Sequence, residues 1–227
     1  MKNIIIKMMI LALAIYVLAG CKKDEVIGGG TANPRVNMTT YDFLKNHSWH
    51  FFDTTILVID KAGMKDIING DVTFFAPTDF SINRFIANKR DEARKKDERL
   101  NFTLDSLFKY YTPQMLRDSL GMYVIKGKVN REQMTLDGKL YETLTPGQPM
   151  LVSLLETTDY LVDNIITSKA QYVTYTKIIG ERDVNGKDPS GSDKLQDIRV
   201  KCQTSGILTT NGVLHVLENT HIWTFRR

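Results

Sequence analysis

Four histidines are the residues of this chain best suited to proton transfer or to metal binding: His47, His50, His215 and His221. His47 and His50 are three residues apart, a spacing that would place both on one face of a helix. No third ligand is near them in sequence, and a catalytic zinc needs three converging ligands. We therefore predict no metal site, and we interpret Trp49, between the two, as a packing residue.

The other residues that could take part in catalysis also lack the partner residues that it requires. No serine stands in a Gly-x-Ser-x-Gly elbow, and no glycine-rich loop follows a strand to hold phosphate. Paired acids such as Asp91 and Glu92 lie in charged runs, where a carboxylate is too well solvated to act as a raised-pKa acid. Cys202 is next to Lys201, which would point to the other side of a strand. The sequence predicts no catalytic residue, no cofactor and a free structural thiol.

The first residues have the plan of an export signal. Two lysines precede an apolar run at 8–18, which small residues end at 19–20. The run is shorter than the roughly 20 residues that a permanent span needs, so we predict cleavage. Residues 18–21, Leu-Ala-Gly-Cys, resemble a bacterial lipobox, which implies that Cys21 carries lipid and begins the mature protein. Acyl chains would then hold the protein on a membrane.

Residues 21–38 have the composition of a flexible spacer between lipid and domain. They contain mixed charges, three consecutive glycines and an Asn-Pro pair. The charges after Cys21 resemble signals that send lipoproteins of some Gram-negative bacteria to the outer surface, so we predict an outer-membrane lipoprotein exposed to the medium. Without residues 1–20, the chain has 28 basic and 26 acidic residues, a balance that argues against a nucleic-acid partner.

The remaining chain, residues 39–227, predicts one domain of the α+β class with its helices mainly in the N-terminal half. Two short amphipathic helices fit residues 40–63, and a buried strand fits 72–76. Pro77 ends that strand, and Thr78 is predicted to cap a helix beginning at Asp79. The other predicted helices are an exposed charged one at 87–101, one at 104–111 and one at 115–120.

The second half is predicted to be mostly strand. Strands are expected at 122–125, 140–144, 150–155, 160–166 and 172–179, followed by a polar loop at 180–193. Asp183 and Asn185 in that loop suggest a calcium site, but Lys187 stands where another oxygen ligand belongs, so we reject it. Residues 207–217 predict a hairpin that turns at Asn211-Gly212, with both faces apolar.

Two segments together resemble the fasciclin-like domain. The first comprises residues 73–79, and the second comprises residues 211–217. Their motif residues are Phe75, Ala76, Pro77, Thr78, Asp79, Asn211, Gly212 and His215. The resemblance implies a wedge of β-strands packed with several short helices, extra length near 87–101 and 180–198, and a non-catalytic module for adhesion or binding at cell surfaces. From the residues themselves, we expect the two boxes to hold the fold, with His215 satisfying buried polar groups. The middle region keeps an apolar strand and glycine but lacks the tyrosine-histidine pair that family members often carry there.

Two ligand classes remain open. One is a protein or matrix component, and the other is a glycan handled by an accessory lipoprotein of a nutrient-uptake system. Exposed aromatic rings can stack on sugar rings, and five aromatic residues are candidates, although core packing competes for them. They are Trp49, Tyr110, Tyr111, Tyr172 and Tyr175.

Overall fold

The computed structural model describes residues 33–157 and 169–226. The predicted signal peptide, Cys21 and the predicted strand at 160–166 lie outside these residues. The described part forms an α+β fold whose α-helices all precede residue 122, which confirms the predicted fold class. None of its helices combines the length and apolar character that crossing a bilayer demands.

In the described part, three α-helices precede the first strand along the chain, and three follow it. They are α1 (Thr40–Lys45), α2 (Asp53–Ala62), α3 (Lys65–Ile68), α4 (Asp79–Arg94), α5 (Leu104–Tyr110) and α6 (Pro113–Gly121) within the described ranges. The α4 helix includes most of the charged run predicted as a separate exposed helix. Gly63 ends α2 with φ +62°, a left-handed conformation that glycine adopts without a Cβ penalty.

Seven strands follow the order β2-β1-β7-β6-β5-β4-β3 in one described sheet. They are β1 (Val72–Ala76), β2 (Val124–Lys126), β3 (Lys139–Tyr141), β4 (Met150–Thr157), β5 (Ala170–Lys177), β6 (Ile198–Leu208) and β7 (Val213–Leu217). All neighbours are antiparallel except β1 and β7, which are parallel. The Leu144 amide donates to the Val124 carbonyl at 3.0 Å, and Thr143 pairs with Ile125. These contacts join the segment after β3 to β2, so the sheet nearly closes on itself.

The core has one continuous apolar cluster between the sheet and the helices. Both β1 and β7 are buried along their whole length, as their mainly apolar sequences predict, and each also buries one polar side chain, Thr73 or His215. Arg117 of α6 donates to the Ala62 carbonyl at 3.1 and 3.2 Å, which ties α6 to the end of α2. Residues 34–38, assigned above to the spacer, also touch the sheet, because the Leu208 amide donates to the Pro34 carbonyl at 2.8 Å and the Val36 amide to the Leu208 carbonyl at 2.9 Å.

Candidate functional site

The two boxes that resemble the fasciclin-like domain meet on neighbouring strands. In the register between β1 and β7, Phe75 is opposite His215 and Ala76 is opposite Val216. The Phe75 ring stacks on His215 with centroids 4.7 Å apart and on Tyr175 with centroids 4.0 Å apart. All three side chains are fully buried. These residues therefore build the core and offer nothing to an external ligand.

The corner after β1 differs from the predicted helix cap. The Thr78 hydroxyl makes no capping bond to α4; instead it donates to the Asn219 side chain at 3.0 Å, so the predicted cap is wrong. Asp79 reaches a different helix, because its Oδ1 accepts from the Thr55 amide at 3.0 Å in the first turn of α2. The Thr55 hydroxyl donates to the Pro77 carbonyl at 2.9 Å. The first box thus fixes the start of α2 across the fold, a bond that local spacing cannot reveal.

The second box turns between β6 and β7 through a four-residue loop, Thr209 to Gly212. The Gly212 amide donates to the Thr209 hydroxyl at 3.0 Å, and the Asn211 side-chain oxygen accepts from the Thr40 amide at 3.1 Å. The hairpin is therefore confirmed. The backbone of Gly212 is outside the left-handed region. Glycine is needed there because a side chain has no room: an added Cβ would lie 2.6 Å from the Val72 carbonyl oxygen.

His215 and His221 are buried and neutral rather than catalytic. The His215 Nδ1 accepts from the Gly206 amide at 3.2 Å, and burial lowers the pKa of His215 to about 4. Burial also lowers the pKa of His221 to about 3. The His221 Nε2 lies 2.8 Å from the Tyr123 hydroxyl, which accepts from the Thr224 amide at 2.8 Å. A buried tyrosine-histidine contact is therefore present, between residues 98 positions apart.

The exposed residues that assemble into a candidate site are aromatic. We define the Trp49 cluster as His47, Trp49, Phe51 and Phe80. The His47 ring stacks on Phe51 with centroids 5.4 Å apart, while Trp49 meets Phe51 at 5.6 Å and Phe51 meets Phe80 at 6.0 Å. Trp49 is 71% exposed and Phe80 is 47% exposed. The prediction that Trp49 packs inside is therefore wrong.

The loop beneath the Trp49 cluster is fixed by the fold. Residues 46–52 are not helical, so the predicted shared helix face for His47 and His50 is also wrong; His50 instead has φ +53° and contacts Asp53 at 3.1 Å. Phe52 is buried below and meets the His47 ring at 5.2 Å. The Phe51 carbonyl accepts from the Asp79 amide at 2.8 Å, which brings the start of α4, with Phe80, against this loop.

The other predicted stacking residues are scattered. Tyr110 is 63% exposed and stacks near-parallel on Phe102, with centroids 6.4 Å apart. Tyr111 is partly buried against Phe85, and Tyr172 is partly buried under the Lys201 ammonium, 5.3 Å from its ring. Tyr175 is fully buried, and its hydroxyl donates to the Met122 carbonyl at 2.5 Å. Ligand stacking by Tyr175 is therefore excluded, because its ring is a core element.

Sequence reasoning identified Trp49 but missed its neighbours Phe51 and Phe80. The available signal was the density of rings at 49–52, which exceeds what one short helix can bury. Phe80 had no such signal, since its place depends on how the corner after β1 packs against a loop more than 25 residues earlier.

The remaining candidate residues do not assemble a reactive centre in the described ranges. Cys202 is buried; burial raises the pKa of its thiol, and the Glu218 carboxylate raises it further. In the polar loop, the Asp183 amide donates to the Asp197 carboxylate at 2.9 Å, and Asn185 and Gly186 form a left-handed turn with φ +52° and +76°. Among the described residues, no group of three or more His, Cys, Asp or Glu side chains is placed to hold a metal ion.

The similarities to known proteins lie among solved structures. No family model matches the sequence, and no curated protein matches it. Among solved structures, the chain is similar to a FAS1 domain pair from the insect cell adhesion molecule fasciclin I, with a TM-score of 0.42 and 14% sequence identity over 76% of this chain. The chain spans 44% of the length of that domain pair.

Proposed function

We propose that the protein is a non-catalytic, fasciclin-like binding module that engages a protein or matrix ligand through the Trp49 cluster. The observation that carries this proposal is the 71% exposure of Trp49 on a base of three further rings. An exposed cluster of large apolar side chains costs solubility, so it indicates an interaction surface. Tryptophan is among the residues that dominate protein interfaces.

The base of the cluster favours rigid recognition. Trp49 contacts His47 at 6.2 Å and Phe51 at 5.6 Å, and Phe51 is tied through its carbonyl to the start of α4. Tryptophan and phenylalanine rings have only two rotatable side-chain bonds, so docking a partner on them costs little conformational entropy, which improves affinity. The rings meet at 62° and 78°, so they form a knobbed surface that fits a pocket on a partner better than the flat face of a sugar.

A glycan ligand is the second candidate, and a different observation favours it. Phe102 and Tyr110 lie at an interplanar angle of 22°, and the Lys109 ammonium lies 5.6 Å from the Tyr110 ring. An exposed aromatic ring offers a flat apolar face to a sugar ring, and the Lys109 ammonium over Tyr110 could donate hydrogen bonds to sugar hydroxyls. The two candidates therefore use different aromatic residues, which makes them separable by mutation.

The experiment compares three proteins on two panels. Purified wild type, Trp49→Ala and Tyr110→Ala are applied to a panel of matrix proteins and to a glycan array. The protein-ligand proposal expects capture of a matrix protein that Trp49→Ala loses and Tyr110→Ala keeps. The glycan candidate expects the reverse on one sugar class. Capture that neither substitution weakens, or no capture on either panel, contradicts the assignment of these surfaces. Thermal melts of both variants should match the wild type, because each side chain is mostly exposed.

We also propose that Cys21 anchors the module by lipid to the outer membrane of a Gram-negative bacterium, facing the medium. The support is the Leu-Ala-Gly-Cys sequence behind the apolar run at 8–18. Labelling with radioactive palmitate should mark the wild type and not Cys21→Ser. Protease added to intact cells should remove the domain; complete protection would show that it faces the periplasm.

A further inference from the structure

A groove that shares no residue with the Trp49 cluster is a candidate small-molecule site. It has a volume of about 610 Å³, within the usual range of ligand pockets. Its apolar lining consists of Phe85, Tyr111, Met115, Met122 and Phe225. Phe85, Met122 and Phe225 are buried and form its floor, while Met115 is 45% exposed at the rim.

The charged residues of the groove are unequally compensated. Arg226 has a partner, since its guanidinium lies 3.4 Å from the Glu92 carboxylate. The Asp118 carboxylate is exposed to solvent, which screens its charge, and it accepts from the Gln114 side chain at 2.7 Å. Lys177 is partly buried at the end of β5, and within the described residues its ammonium has no carboxylate within 4.0 Å. Burial lowers the pKa of Lys177, which reflects a cation that has lost water without gaining an anion.

The backbone at one wall of the groove is strained. Thr224 and Phe225 are consecutive non-glycine residues with φ +67° and +53°, and such a conformation is a genuine outlier for a branched residue such as threonine. The Thr224 amide is held by the Tyr123 hydroxyl at 2.8 Å, and the Phe225 ring packs 5.3 Å from the Tyr123 ring. Strain of this kind persists only where the surrounding fold imposes it, and it concentrates at binding sites.

We propose that this groove binds an amphipathic carboxylate, with the carboxylate group on Lys177 and the apolar chain along Phe85, Met122 and Phe225. The anion supplies the partner that Lys177 lacks, through a charge-assisted hydrogen bond. Above this floor, the apolar chain covers the exposed side chain of Met115 and the partly buried ring of Tyr111. Each half of such a ligand matches a feature of the groove, whereas a cationic amphiphile would place its charge against Lys177 and Arg226.

The probe is decanoate, measured by titration calorimetry against purified protein below its micelle concentration. Decanoate should bind saturably with one site per chain. Decyltrimethylammonium has the same chain with the opposite charge, and acetate has the carboxylate without the chain; neither should bind. Equal binding of decanoate and decyltrimethylammonium, or no saturable decanoate binding, would overturn the proposal.

Matched variants locate the site. Lys177→Gln should weaken decanoate binding by at least about tenfold, and Lys177→Arg should stay within about threefold of the wild type. Lys201→Gln changes a partly buried lysine on the neighbouring strand β6 and should bind as the wild type does. Unchanged affinity in Lys177→Gln, or equal loss in Lys201→Gln, would contradict the assignment.

Methionine-methyl NMR locates the bound ligand independently of the calorimetric measurement. Decanoate should shift the methyl signals of Met115 and Met122, which line the groove, and leave that of Met64, which is buried elsewhere. The same spectra show that each variant is folded. Trp49→Ala should bind decanoate normally, so this site and the proposed recognition surface succeed or fail separately. Shifts confined to methionines outside the groove would refute the location.

Discussion

A single carboxylate, that of Asp79, serves two helices. It lies in the first turn of α4, where a negative charge is favourable, and its Oδ1 also accepts from the Thr55 amide in the first turn of α2. Thr55 is fully buried, so its amide has no water to replace this bond. The residue that sequence analysis placed at a helix start thus links that helix to another one.

Replacing Asp79 should reveal this double role. Asp79→Ala should lower the free energy of unfolding by about 1–2 kcal/mol, because it leaves a buried amide without an acceptor. Asp79→Asn retains an acceptor oxygen and should lose less. Urea denaturation followed by circular dichroism measures the difference.

Asp66→Ala is the matched control for Asp79→Ala. Asp66 is an exposed acid in the first turn of α3, and its change should stay within about 0.5 kcal/mol. Equal effects of Asp66→Ala and Asp79→Ala would show that the Thr55 bond contributes nothing beyond the charge at a helix start.

Among the elements, the loop between β6 and β7 is shaped by close approach rather than by a left-handed backbone. Gly212→Ala would put a Cβ 2.6 Å from the Val72 carbonyl oxygen, so β1 or the loop must shift. We expect a loss of about 1–3 kcal/mol in the free energy of unfolding, as in other overpacked sites. Calorimetric or urea unfolding tests this.

A second glycine separates the two explanations of this loss. Gly147 has φ +69° but open space around its Cβ position, so Gly147→Ala measures the cost of a left-handed backbone alone, about 1 kcal/mol. A Gly212→Ala variant as stable as the wild type would show that the loop relaxes without disturbing β1.

The elements that sequence predicted best are those whose own residues decide their state. The strand β1 and the end of the β6-β7 hairpin were predicted because their apolar residues can be satisfied only by burial on both faces. Most of β6 was missed: Arg199, Lys201 and Gln203 alternate with apolar residues, and the strand continues through Gly206, which has φ +76°. The alternation favours a half-buried strand at 198–203, whereas its continuation past Gly206 depends on pairing with β7.

The candidate sites were less predictable because they depend on tertiary packing. Trp49 was predicted both as a packing residue and as a candidate for ligand stacking, and its support by Phe80 depends on the position of α4. The groove at Lys177 brings together β5, α4, α6 and residues 224–226. The contact of Tyr123 with His221 joins residues 98 positions apart, and no local pattern encodes a pair of that separation.

Across the whole molecule, the nearly closed sheet holds a column of aromatic rings. Phe75 and Tyr175 stack at 4.0 Å, and Phe225 lies 5.3 Å from Tyr123 and 4.6 Å from His221. His215 joins the column on the other face of Phe75. Two uncharged histidines are therefore part of the core, so global stability is coupled to their protonation.

This coupling predicts loss of stability on mild acidification. His215 and His221 have folded-state pKa values of about 4 and about 3, against 6.5 for an unperturbed histidine. The stabilisation from these neutral histidines is complete above pH 6.5, and it falls as the pH drops toward the folded-state pKa values. The reason is that the histidines bind protons in the unfolded chain but stay neutral in the folded chain. At pH 5, before most carboxylates titrate, each histidine should have lowered the free energy of unfolding by about 2 kcal/mol relative to neutral pH. Urea midpoints between pH 7.5 and 5 measure this.

Substitutions that preserve the hydrogen bonds assign the slope to these residues. His221→Gln places an amide near the position of Nε2 opposite Tyr123, and His215→Asn places an oxygen near that of Nδ1 opposite the Gly206 amide. Each should remove about half of the dependence on pH between 6.5 and 5, whatever it costs in stability at neutral pH, since a side chain that cannot titrate contributes no proton difference between the two states. A slope that survives both core substitutions would mean that other groups carry the dependence on pH and that these two histidines do not.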